Sequence, residues 1–260
     1  MRNAAKPSQK VMDTQTGRPL LVVRVVGPGM ASSLVLGDTT GMTGGRLMTD
    51  PLILHGFWRS TATWRVRIAL GLKGLKWRGV AHDLRAGEQK APDYVALNPQ
   101  GFVPALVTGS DVLTQSLAIC EYLDELHPQP PLLPATPLER AKVRAAAQVI
   151  ACDIHPVQNL KVLKMLRRRG LDESETNAWA AEVIESGLNA FAALIADFDG
   201  PYCFGDQLTL ADVVLVPQLG NARRFGARFD LGRIAAIESE CMKLAAFASA
   251  APERQPDAPS

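Results

Sequence analysis

At 260 residues the chain is long enough for two modest domains with real cores, and its apolar content of 47% is that of an ordinary globular protein. The 28 basic and 26 acidic residues are mixed along the sequence, giving a net charge of +2 and no basic stripe for nucleic acid. No apolar run approaches the roughly 20 residues needed to cross a bilayer, and the four dispersed cysteines, Cys120, Cys152, Cys203 and Cys241, indicate reduced, cytoplasmic usage rather than a disulfide framework.

Residues 1–47 differ in character from the rest, basic at first and then rich in Gly, Ser, Thr and Met. They read as an N-terminal extension, disordered or foreign to the domain, although the apolar run 20–26 can pair as a strand. Arg24 interrupts that run, which is too short for a signal peptide. The domain itself is expected to begin near Met48.

Residues 52–55 form a short apolar run that reads as a central strand. The turn Phe57-Trp58-Arg59-Ser60 leads into a helix capped by Ser60 or Thr61, with Ala69, Leu70 and Leu72 on its buried side and Gly74 at its end. Hydroxyls here face the positive end of the helix dipole, where a thiolate would also be stabilised. A second strand is expected over 77–83 and a short helix over 90–97.

The stretch 98–127 carries the densest signal. Val103 is held extended by Pro104, and an X-Pro junction is where a cis peptide can occur. Its N–H and C=O are then placed to pair with an extended peptide ligand. Two short apolar runs broken at Gly109 and Ser110 read as a strand pair. The pair Gln115-Ser116 opens a helix with Leu117, Ile119, Tyr122 and Leu123 at helical spacing. Such a helix start attracts a carboxylate, though it can equally serve as a plain cap. The order β-α-β-α-β-β-α fits a small mixed sheet with helices on its faces.

Residues 128–136 read as a proline-rich linker, since prolines at 128, 130, 131 and 134 forbid a continuing helix. Beyond it, helices are expected over 137–170, 173–198, 209–225 and 234–250, the third opened by a capping box at Thr209 and Asp212. Cys152, Asp153 and His155 lie close together, but one short cluster lacks the further ligands zinc requires, so no metal is expected. His55, His82 and His127 have no evident role.

The segments Ser60-Thr61-Ala62-Thr63-Trp64-Arg65-Val66-Arg67-Ile68-Ala69-Leu70, Asn98-Pro99-Gln100, Gln115-Ser116-Leu117-Ala118-Ile119, His155-Pro156-Val157-Gln158-Asn159-Leu160 and Asn221-Ala222-Arg223-Arg224-Phe225 occur in this order. Together they resemble the zeta class of glutathione transferases, which contains maleylacetoacetate and maleylpyruvate isomerases. The resemblance implies an α+β fold, with a thioredoxin-like domain over 48–127 followed by an all-α domain over 137–257. It also implies glutathione as cofactor, a small dicarboxylate substrate and a homodimer.

Carried over by position, Ser60 supports the glutathione sulfur, with Thr61 and Thr63 as alternatives. Val103 pairs with the cysteinyl backbone, Gln115 and Ser116 hold the γ-glutamyl carboxylate, and Gln89 and Gln100 lie near the glycyl end. His155 and Asn159 reach in from the helical domain. Arg59 and Arg224, or Arg223 in its place, bind the substrate carboxylates, since guanidinium forks suit a dianion. The family's reaction is a reversible thiolate addition that permits cis-trans rotation. The sequence departs from the maleylacetoacetate isomerases at Ala62, where they carry cysteine, which argues against chemistry that uses that thiol. A general conjugating transferase and a non-catalytic scaffold are the alternative functions.

Overall fold

The computed structural model describes residues 11–12, 19–20, 51–229 and 232–259. The chain divides into two compact units, Met1–Leu47 and Met48–Ser260. In the first, β1 (Val11–Met12) pairs antiparallel with β2 (Pro19–Leu20). The strand expected over 20–26 lies, Leu20 apart, outside the described residues.

The second unit opens with β3 (Leu52–Gly56), α1 (Thr61–Leu72), β4 (Trp77–Ala81), α2 (Pro92–Leu97), β5 (Ala105–Thr108), β6 (Asp111–Thr114) and α3 (Ser116–Leu126). The sheet order is β4-β3-β5-β6, with β3 and β4 parallel and the other pairs antiparallel. This is the thioredoxin-like arrangement. Strand alternation sorts the side chains: Leu54, Leu106 and Leu113 join the large core with α1 and α3, while Ala105 and Val112 face Tyr94 and Leu97 of α2.

Helix α1 departs from the expected one-sided pattern, because every residue from Thr61 to Leu70 is buried. It packs against α3 and also against α7 (Leu210–Phe225) and α9 (Ala245–Ala250), so no face is left for solvent. The approach to α9 is close: a Cβ on Gly71 would lie 3.1 Å from the Ala246 Cα. Two arginines, Arg65 and Arg67, are thereby taken into the interior.

The expected single helix over 137–170 is two. Helix α4 (Pro137–Gln148) runs into a π-helical turn (Val149–Ile154), and α5 (Leu160–Arg168) starts afresh. Pro156 has no N–H to continue the ladder, and Asn159 Oδ1 accepts from the Lys161 N–H at 2.8 Å to cap a new helix. The wide turn is packed hard on α6 (Glu173–Leu194), since a Cβ on Gly187 would fall 2.2 Å from Ile154 Cγ1.

The expected helix 234–250 is likewise split, into α8 (Gly232–Met242) and α9. Leu244 is extended at the junction and lets α9 turn onto α1. The strand expected over 77–83 ends at Ala81, and a 3-10 turn (Glu88–Lys90) precedes Pro92 at the start of α2.

The central helix α7 begins as predicted. Asp212 Oδ2 accepts from the Thr209 N–H at 2.7 Å and from its hydroxyl at 3.0 Å, and Oδ1 takes the Cys203 N–H at 2.8 Å. Among the described residues, no helix is long and apolar enough to cross a membrane.

Candidate active site

The turn between β3 and α1 is fixed by its own backbone and by the far end of the chain. The Ser60 N–H donates to Phe57 O at 3.0 Å, and Ser60 Oγ accepts from the Thr63 N–H at 3.2 Å. With its oxygen used as the cap, the Ser60 hydroxyl keeps its hydrogen for an outside acceptor. Thr61 and Thr63 are buried, and neither Oγ1 has a partner among the described residues. The neighbouring Trp58 peptide is held from both sides. Arg67 Nη2 donates to its carbonyl at 2.9 Å, and its N–H donates to Asp257 Oδ2 at 2.8 Å. Arg67 Nε also donates to Ala250 O at 3.0 Å, so α9 and the C-terminal tail both brace the turn.

A second ridge runs from Gln89 to Ser116. The Val103–Pro104 peptide is cis. Just before it, Phe102 O accepts from the Tyr94 hydroxyl at 2.5 Å and Asn98 Nδ2 at 2.7 Å. Burial raises the Tyr94 pKa to about 12, so this donor is kept. Among the described residues, neither main-chain polar group of Val103 has a hydrogen-bond partner. Gln115 Nε2 donates to Gln100 Oε1 at 2.9 Å, and Lys90 Nζ to Gln100 O at 2.9 Å. Gln89 lies alongside, with its Oε1 unpartnered among the described residues. Gln115 has φ 67°, a left-handed conformation that a non-glycine residue adopts only when its surroundings hold it there.

Ser116, at the start of α3, is buried, and its Oγ accepts from Arg65 Nη1 at 3.3 Å. Arg65 Nη2 lies 3.2 Å from His155 Nδ1, so α1 links the start of α3 to the segment after the π turn. Burial, then Arg65 and Arg224, push the His155 pKa down to about 3, so the ring is neutral.

The arginines at the mouth are not equivalent. Arg223 is tied to Glu238, with Nη1 to Oε1 at 2.7 Å, and stands over the Phe229 ring. Arg224 is exposed, and no carboxylate among the described residues pairs with it. Its pKa falls to about 10 through partial burial, then through Arg59 and Arg85. Arg59, stacked 5.4 Å from the centre of the Trp58 ring, is lowered by burial and by Arg85. Three cations crowd together here, and none of them forms an ion pair among the described residues, an arrangement that suits an anionic ligand. A cavity of about 250 Å³ lined by Phe57, Trp58, Asp83, Arg85, Asp257, Ala258 and Pro259 adjoins them.

Of the predicted residues, Gln100 bonds Gln115 and Ser116 is joined to His155 through Arg65, while Arg224 lies within electrostatic reach of both His155 and Arg59, the neighbour of Ser60. Asn159 is engaged as the α5 cap through Oδ1. A groove of about 490 Å³ between the π turn and α6, lined by Trp179 and Val183, contains none of them. Among the described residues there is no group of three potential metal ligands. Cys120, Cys203 and Cys241 are buried free thiols, and Cys152 is exposed.

Sequence reasoning missed Arg65, Arg85 and Asp257. The one signal for Arg65 was its place in the apolar run Trp64 to Leu70, where a helix buried on all sides must take in any charge it carries. His55 and His82, left without a role, contact one another at 2.9 Å and pack on Tyr94.

Comparison with known proteins matches two family models, the N-terminal domain of glutathione S-transferase over residues 59–126 and the C-terminal domain over 158–247. The chain is 46% identical over 211 residues to the maleylacetoacetate isomerase of Pseudomonas aeruginosa, covering 80% of this chain and 99% of that one. A holo structure of maleylpyruvate isomerase, described as a bacterial zeta-class glutathione S-transferase, superposes with a TM-score of 0.78 at 46% identity, covering 80% and 100% of the two chains. Maleylacetoacetate isomerase from Methylobacterium extorquens AM1, solved with bound malonate and glutathione, gives a TM-score of 0.77 at 40% identity, covering 80% and 100%.

Proposed function

This chain belongs to the glutathione S-transferase family, in its zeta class, and from that membership we propose that it is a glutathione-dependent cis-trans isomerase of maleyl-type dicarboxylates. Maleylacetoacetate and maleylpyruvate are the two candidate substrates; each is the namesake substrate of a relative 46% identical to this chain. Bound glutathione supplies a thiolate that adds reversibly to the conjugated double bond, so that rotation occurs before it leaves.

The residues present fit that cofactor. Val103 offers unpaired main-chain groups to an extended peptide, while Ser116 has a hydroxyl hydrogen to give a carboxylate. Gln115 lies beside Ser116, and Gln89 and Gln100 border the same ridge. His155 and Asn159 approach from the helical side. Ser60 donates to the sulfur at the positive end of α1 and so favours the ionised thiol. Arg59 and Arg224 bind the two carboxylates of the substrate and stabilise negative charge as it moves onto oxygen. The observation that carries the reading is the group of arginines beside the Ser60 turn that form no ion pair among the described residues.

The test is the ultraviolet loss of each maleyl substrate with and without glutathione. Turnover is expected only with glutathione and without its net consumption. Steady depletion of glutathione would indicate a conjugating transferase, and silence in every assay a scaffold. Arg224→Ala should raise KM for the dicarboxylate about 10- to 100-fold, as expected for loss of a charged hydrogen bond, while Arg223→Ala should change it less than about twofold.

The same reading places the protein in the cytoplasm as a homodimer. Membership in the family supports both points. Sedimentation is then expected at twice the 28.0 kDa chain mass.

A further inference from the structure

We propose that Arg65 is a positioning residue that aims two hydrogen-bond donors, the Ser116 hydroxyl and His155 Nε2, at an anionic group of the cofactor. The inference rests on the glutathione reading for the identity of that group, but not for the arrangement itself.

A guanidinium has only hydrogen-bond donors. Arg65 Nη1 donates to Ser116 Oγ at 3.3 Å, so the serine oxygen is an acceptor and its hydrogen points elsewhere. No protein acceptor among the described residues takes that hydrogen. Arg65 Nη2 donates to His155 Nδ1 at 3.2 Å, so Nδ1 carries no proton and the neutral ring carries it on Nε2. Arg65 and Arg224, the two cations facing the ring, both oppose a second proton. One buried charge thus sets a hydroxyl rotor on α3 and a tautomer beyond the π turn.

The comparison with Arg67 shows that Arg65 is more than an internal strut. Arg67 donates to two main-chain carbonyls and has Asp257 as a nearby counter-charge. Arg65 is fully buried, its Nε has no partner, and its acceptors are a neutral hydroxyl and a neutral ring. Among the described residues no carboxylate pairs with it. A guanidinium desolvated to this degree is stabilised when an anion arrives nearby.

The test uses the full chain labelled with ¹⁵N-histidine, with His155→Asn to assign the signal. Without glutathione, His155 should show the Nε2–H tautomer in the wild type. In Arg65→Met it should lose that preference and titrate closer to an ordinary imidazole. Glutathione affinity by calorimetry should fall about 10- to 100-fold in Arg65→Met. Arg65→Lys, which keeps the charge but cannot span both partners, should lie between and covers the case in which the methionine variant does not fold. An Nδ1–H tautomer in the wild type, or unchanged glutathione affinity in a folded variant, overturns the proposal. A wild type with the Nε2–H tautomer that binds no glutathione overturns the function reading and leaves the Arg65 arrangement standing.

Discussion

Ser60 serves two purposes with one oxygen. As the cap of α1 it accepts the Thr63 N–H, and as a hydroxyl it still has a proton to give. Ser60→Ala removes both, and the two losses can be read separately. Losing a donor to developing charge should lower kcat by about 10²-fold, while losing the cap should cost about 1 kcal/mol of stability. Ser60→Thr should retain most of each. Measuring turnover and urea midpoints on the same variants separates the roles. Residue chemistry of this kind was legible where the sequence brings like groups together, as in Ser60-Thr61 or Gln115-Ser116. The difference between Arg223 and Arg224 was not, because it depends on Glu238, fifteen residues away, pairing with only one of them. Arg85 and Asp257 were hidden for the same reason, since each reaches the Ser60 turn only through the fold.

Among the elements, those bounded by strong local chemistry were legible. The Thr209–Asp212 box starts α7 where expected, and the turn at Gly109 and Ser110 joins β5 to β6. The box also satisfies the Cys203 N–H, so Asp212→Ala would leave several buried donors without acceptors. A loss of about 2–4 kcal/mol is expected, seen as a drop in Tm of about 5–15 °C. The division of α4 from α5 was not legible from periodicity, since apolar spacing continues through 149–154 while the backbone widens to a π turn. Pro156 was the available clue. The widened turn ends one residue before His155, the ring that meets Arg65.

For the molecule as a whole, a small mixed sheet and a helical second half followed from the element order, whereas the strand order and the fully buried α1 required knowing the packing, with α7 and α9 closing over that helix. That enclosure makes stability depend on pH. His155 has a folded pKa near 3 against an unfolded value near 6.5, so the unfolded chain binds the proton more readily. Its contribution is complete above pH 6.5 and is lost as pH falls toward 3. His55 and His82, also lowered by burial, act in the same sense, and Asp212, raised by burial, acts in the opposite one. The His155 share between pH 7 and pH 5 should be about 1–2 kcal/mol. It is measured as the difference in urea dependence between the wild type and His155→Asn.

The tie between Asp257 and the Trp58 peptide has a practical side. Asp257→Ala would slacken the loop before α1 from a position about two hundred residues away along the chain. Proteolytic nicking within that loop, followed over time, should then run faster in the variant than in the wild type, and equal rates would show that the loop keeps its shape without that tie.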